Sequence, residues 1–216
     1  MLKTIRIDIV SDIVCPWCVI GYKRLCKALD LVQPDISADI YWHPFELNPA
    51  MPIQGQNLRE HLAEKYGTTP KASEMARATL TQLGKDVGFD FHFTDSMRIY
   101  NTRQAHQLLL WAQSQNQQPA LQAALFDAYF TQNQNIAEPN NLLNIAANIG
   151  LERSIAETVI QDKDWAQAVA KTEQQWLEAG ITAVPAIIFA HKHLVSGAQN
   201  IEVYVQVLRE LAASID

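Results

Sequence analysis

Residues 9–21 read IVSDIVCPWCVIG. Cys15 and Cys18 stand three apart with Pro16 and Trp17 between them, a spacing shared by redox pairs, halves of metal sites and small residues in a tight turn. The flanks narrow the choice. Upstream, KTIRIDIV (3–10) alternates polar and apolar residues and includes Ile and Val, which is a strand pattern. Downstream, Trp17, Ile20, Leu25, Leu29 and Val32 recur at roughly helical spacing as far as Pro34. The cysteines therefore mark a strand-to-helix junction, with Cys15 near the helix N-terminus and Cys18 a turn along. Unpaired N–H groups and the helix dipole favour a thiolate there, and thiols in such positions ionise more readily than free ones. Pro16 suits the first turn, where its missing N–H costs nothing.

Exposure assigns the roles of a redox pair. Cys15, at the tip, exchanges with the substrate; Cys18, more buried, resolves the mixed disulfide. Trp17 reads equally as an apolar surface beside the opening or as packing. A structural zinc site usually takes four Cys or His ligands. There is no second Cys-x-x-Cys, the six histidines are scattered, and no metal is expected. Cys26, two turns beyond Cys18, reads as a small core residue. An odd cysteine count in a core-forming chain argues against a disulfide scaffold.

The rest of the 216 residues organises around that junction. SADIYWHPF (37–45) is a second strand. Residues 50–160 read as an almost all-helical block, with helices at 57–67, 70–86, 102–115, 119–132 and 139–149 and an aromatic segment, FDFHF, at 89–93. A helix at 162–180, short strands near 186–190 and 193–195, and a helix at 201–213 close the chain. Removing the block leaves β-α-β-α-β-β-α, the thioredoxin topology. The fold class is thus α/β, a thioredoxin domain from 1–49 and 161–216 with a large helical domain, 50–160, inserted. In ITAVPAIIF (181–189), Pro185 precedes a strand, the position in a sheet that proline tolerates best. Alone it reads as trans; opposite CPWC, the cis reading is preferred. It sets the Val184 backbone facing Cys15, open to an extended peptide or thiol substrate, with Pro185 against the disulfide.

Composition excludes several classes. Apolar residues make up 48% and charged residues 19%, with net charge −6 and scattered Lys and Arg. No nucleic-acid surface is expected. No apolar stretch approaches the roughly 20 residues of a membrane span, no signal peptide is evident, and a cytoplasmic location is expected.

Five segments carry a resemblance: DIVSDIVCPWCVIGYKRL (8–25), HPFELNP (43–49), LFDAYF (125–130), GITAVPAIIF (180–189) and VSGAQ (195–199). Together they resemble the DsbA-like thioredoxin-fold superfamily, in particular its cytoplasmic FrnE-type branch. The resemblance implies thiol–disulfide oxidoreductase activity on protein or low-molecular-weight thiols and disulfides. Its site residues are Cys15, Cys18 and cis-Pro185. Asp12 also matches; its carboxylate would orient the loop while opposing a nearby thiolate. Pro-Trp in place of DsbA's Pro-His implies a less oxidising pair. Related 2-hydroxychromene-2-carboxylate isomerases and kappa-class glutathione transferases generally lack the resolving cysteine, so both thiols here favour exchange over glutathione-dependent isomerisation or transfer. No tightly bound cofactor is implied, and glutathione enters as a thiol substrate. A non-catalytic binding or chaperone module is the alternative of a different class. Substrate contacts are expected from Pro16, Trp17, Val184, Asp12 and Gln199, with Ser196 and Ala198 beside the last and Gly197 in a special backbone conformation. Trp42, His43, Phe45, Tyr100, Asn101, Trp111 and Trp176 are groove candidates, most of them expected in the core. His43 and His106 are the polar candidates for an approach to the thiols, and a structural role is expected of both.

Overall fold

A computed structural model describes residues 2–214. The first strand, β1 (Lys3–Ser11), leads through a short turn into α1 (Pro16–Val32), and β2 (Ile36–Pro44) returns parallel to β1. After the helical region come β5 (Ala186–Phe189) and β6 (His193–Ser196). The central sheet runs β2-β1-β5-β6, with β5 antiparallel to β1 and β6 antiparallel to β5. Ile5, Ile7 and Ile9 alternate along β1 and are buried, as the period of a strand requires. On the helical side of the sheet, α1 packs against α9 (Ile201–Ala213). This is the expected thioredoxin arrangement, with a large helical insertion between β2 and β5.

The insertion holds α2 (Leu58–Tyr66), α3 (Pro70–Val87), α4 (Arg103–Ser114), α5 (Gln118–Phe126), α6 (Pro139–Asn148) and α7 (Arg153–Gln161), and leads into α8 (Lys163–Glu178). Local chemistry sets these boundaries. The Asn57 side chain accepts from Arg59 N and Glu60 N to cap α2, and Gly67 closes it at φ +65°. The Thr69 hydroxyl caps α3, ahead of Pro70. Such caps satisfy donors the helix itself leaves unpaired. Among the described residues, the larger of two buried clusters spans both parts of the fold, with Ile7 and Cys18 in it beside Leu80, Leu108 and Leu125; Val10, Phe45, Ile181, Ala186 and Ile188 form the smaller one.

Three features depart from expectation. The helix expected over 119–132 divides at Asp127 into α5 and a π-helical turn, Asp127–Thr131. Helix α7 lies in a part of the block for which no separate helix was expected. Two two-residue strands, β3 (Gln56–Asn57) and β4 (Arg98–Ile99), pair antiparallel across the base of α2; two residues are too few for alternation to show. The FDFHF segment has no regular structure. Its three phenylalanines gather on Phe130, with Phe91 and Phe93 stacked at 5.4 Å.

Candidate active site

Cys15 is the N-cap of α1 (φ −92°, ψ 110°), and no side chain caps the helix ahead of it. Pro16 occupies the first turn, and no acidic residue lies in that turn. The end of α1 is therefore electropositive where the sulfur sits. The Cys15 thiol donates to Val184 O at 3.7 Å. Val184–Pro185 is a cis peptide, as expected; a second cis peptide, Gln33–Pro34, follows α1. Cys15 is 5% exposed and Cys18 fully buried. Burial, and then the adjoining Cys15, push the Cys18 thiol well up from its ordinary range. Trp17 is 43% exposed and stands at the opening.

The proline is held from behind. Gly197 N donates to Pro185 O at 2.8 Å, and Gly197 has φ +74°, the unusual backbone its position suggested. Arg24 of α1 donates to Ala198 O and Gln199 O. Gly21 is the space Pro185 needs: a Cβ there would lie 3.2 Å from Pro185 Cγ and 3.5 Å from Ala198. The VSGAQ segment thus braces the proline against α1. The Gln199 side chain is exposed and folds back onto Ser196 O; it is not among the residues lining the cavity.

A cavity of about 400 Å³ opens onto Cys15. The cysteine turn contributes Val14, Pro16 and Trp17, and the proline loop contributes Val184. Opposite them stand Leu58, Leu62 and Tyr66 of α2 and Ser73, Arg77 and Leu80 of α3, with Tyr129 and Phe130 at the back. None of Trp42, His43, Phe45, Tyr100, Asn101, Trp111 and Trp176 lines it. Trp42 and Trp111 are core, and Trp176 packs on His43 at 4.8 Å. His43 Nε2 donates to Asp8 Oδ1 at 2.8 Å, a structural role. Burial raises the Asp8 carboxyl, but bonds from His43 and Arg6 outweigh it and hold the group well below the usual range.

The loop after β2 forms another wall, through Leu47 and Asn48. It is fastened by side chains distant in sequence. Asp12, fully buried, accepts from Leu47 N at 2.8 Å, so the contact its carboxylate makes is with the loop after β2. Glu46 N donates to Glu173 of α8 at 2.8 Å, and the Glu46 carboxylate pairs with Arg103 of α4, whose Nε is 2.7 Å away. Asn101 donates to Pro49 O and Met51 O. His106 Nε2 lies 3.4 Å from Asp12 Oδ1, and both atoms are buried without a hydrogen bond. Of this assembly, Glu46 lies within HPFELNP but was not singled out there, and Arg103 and Glu173 lie in no motif that would have marked them. Cys26 is half-buried rather than core; burial raises its thiol.

Among the described residues, no group of three or more His, Cys, Asp or Glu side chains is placed to hold a metal, and no helix is long and apolar enough to cross a membrane.

The chain is similar to YwbO of Bacillus subtilis, an uncharacterized protein, at 22% identity over 96% of this chain and 97% of that one. Its fold matches a probable DsbA oxidoreductase from Streptomyces coelicolor with a TM-score of 0.91 and 27% identity, covering 98% of this chain and 91% of the other. It also matches the cytosolic disulfide reductase DsbM of Pseudomonas aeruginosa, solved with GSH, with a TM-score of 0.62 and 18% identity over 97% and 96% of the two chains. The model of the DSBA-like thioredoxin domain matches residues 6–209, which include both cysteines, the cis-proline and the whole helical insertion, and the chain belongs to that family.

Proposed function

We propose that the protein is a thiol–disulfide oxidoreductase in which Cys15 exchanges with substrate and Cys18 resolves. The observation that carries the reading is the placement of Cys15: it caps α1 with its sulfur 3.7 Å from the carbonyl of the cis Val184–Pro185 peptide, and Cys18 lies buried a turn behind. In the reducing direction, the Cys15 thiolate attacks a substrate disulfide. One substrate sulfur leaves as a thiolate and takes a proton. Cys18 then gives up its proton and attacks Cys15 Sγ, releasing the second substrate sulfur as a thiol. Two electrons pass from the cysteine pair to the substrate. The oxidising direction is the reverse. The high proton affinity of Cys18 keeps it a poor nucleophile until the mixed disulfide forms beside it, which confines attack on free substrate to Cys15.

Pro16, Trp17 and Val184 border the path to the sulfur, and Asp12 acts through the loop it holds. Partners are thiols and disulfides, of proteins or of low molecular weight. Glutathione as a thiol substrate is supported by the GSH-bound disulfide reductase of the same fold. We place the chain in the FrnE-type branch on its CPWC, HPFELNP and VSGAQ segments. The test is trapping. A Cys18→Ala variant incubated with oxidised glutathione should hold the adduct on Cys15, seen by mass spectrometry of the intact protein. Absence of any adduct on Cys15, with oxidised glutathione and with the uncharged hydroxyethyl disulfide alike, would refute the assignment.

A further inference from the structure

The cavity beside Cys15 has a chemical character that the exchange reaction does not demand. Its lining is mainly apolar, and Arg77 of α3 is its one fixed charge. The Arg77 side chain is 12% exposed. It meets Asp95 at 3.6 Å, but that carboxylate lies out at the surface and also pairs with Arg59, leaving the group with an excess positive charge. One turn away on α3, Ser73 Oγ is buried and has no hydrogen-bond partner. A buried hydroxyl without a partner is unusual and costs stability. Ser73 and Arg77 stand four apart on one face of α3, and both line the cavity. His61, also in the wall, is held toward its neutral form by burial and Lys65.

We infer that this cavity binds the body of an apolar, low-molecular-weight disulfide or dithiol carrying a single carboxylate, with its sulfur at Cys15 and its carboxylate at Arg77 and Ser73. The inference rests on the oxidoreductase reading and names the substrate class for that site. At about 400 Å³ the cavity is of small-molecule size. An arginine supplies charge-assisted donors and a serine a further hydroxyl, a match for one carboxylate. Oxidised glutathione brings four carboxylates and two ammonium groups, which one cation in an apolar wall cannot pair. For a cyclic disulfide, Cys15 opens the ring S–S bond and forms a mixed disulfide; the freed sulfur takes a proton. Cys18 closes the Cys15–Cys18 disulfide and releases the second sulfur as a thiol. The substrate gains two electrons and two protons, and the enzyme dithiol loses them.

Lipoate, lipoamide and oxidised glutathione make the test. Lipoate and lipoamide share one apolar dithiolane body and differ by the carboxylate. The second-order rate constant for oxidation of the reduced wild-type protein by lipoate should exceed that by lipoamide at least about tenfold, the worth of a charge-assisted bond at a largely buried site. It should exceed that by oxidised glutathione at least as much. In Arg77→Gln the lipoate-to-lipoamide ratio should fall toward one, and Ser73→Ala should lower it in part. The ratio is internal to each variant and does not depend on how much protein folds. A wild-type ratio near one, a ratio unchanged in Arg77→Gln, or glutathione disulfide as the better substrate would overturn the inference while leaving the oxidoreductase reading intact. Failure of the cysteine pair to exchange with all three, and with oxidised dithiothreitol, would overturn both.

Discussion

The Glu46–Arg103 pair offers a prediction whose size follows from burial. The Glu46 side chain is fully buried and Arg103 is 32% exposed. Arg103 Nε donates to Glu46 Oε2, and the guanidinium's NH2 group also approaches it. Glu46 Oε1 has no partner, and Glu173 stands on the other side of the same loop residue, accepting from Glu46 N. Burial, and also the nearby Glu46, hold the Glu173 carboxyl above its usual range, though the bond from Glu46 N and the Arg103 charge pull the other way. Removing Arg103 therefore strands one buried carboxylate and takes from the second a charge that favours its ionised form. Breaking a fully buried pair costs about 3–5 kcal/mol. Because Arg103 is about one-third exposed, Arg103→Met should cost about 2–3 kcal/mol, which for a chain this long is about 4–12 °C in Tm. Urea unfolding of Arg103→Met, Glu46→Gln and the double variant is the assay. The double variant should be more stable than the two single costs together imply, by about 1 kcal/mol or more, since the second substitution removes the stranded charge. A cost under about 0.5 kcal/mol for Arg103→Met, or strict additivity, would refute the reasoning. The loop should also lose order with Arg103, so hydrogen exchange at Leu47 N and Asn48 should speed up.

Other expectations are as direct. Asp8 is held below its usual pKa by His43 and Arg6 against the opposing effect of burial, so its contribution is present above the unfolded carboxyl pKa near 4 and is lost as pH falls further. The stability gap between wild type and Asp8→Asn should shrink between about pH 4 and 2 in urea titrations. Gly21→Val should crowd Pro185 and Ala198, cost about 1–3 kcal/mol by overpacking, and slow disulfide exchange at Cys15; unchanged exchange would show that the proline contact is dispensable. In the reduced protein, iodoacetamide at pH 8 should label Cys15 well before Cys18, read by peptide mapping, because burial holds Cys18 as a thiol.

Where the chain is regular, the sequence is a good guide. The isoleucines of β1, the apolar spacing of α1 and the glycine and proline stops placed the sheet strands and most helices to within a residue or two. The site is legible to the extent that it lies in local motifs: Cys15, Cys18, Pro185 and the turn at Gly197. What was not legible depends on contacts between distant segments. The cavity wall comes from α2 and α3, whose amphipathic pattern identifies helices but not what they face. Glu46, Arg103 and Glu173 sit on three separate elements, and nothing in their spacing joins them. Gly21 looks like a flaw inside a helix until Pro185 is seen against it. The tryptophans drew attention as possible groove residues because of their size; size is also what places Trp42 and Trp111 in the core. Cys26, expected in the core from helical spacing, lies at its edge beside Tyr22.

The central claim is that Cys15 and Cys18 cycle as one redox pair. Equilibrating the protein across a range of reduced and oxidised glutathione, then quenching with acid and counting free thiols, tests it directly. The account predicts a single two-electron transition between dithiol and Cys15–Cys18 disulfide, absent in Cys15→Ser. A pair that stays reduced, or one that never opens, across every glutathione ratio would contradict it.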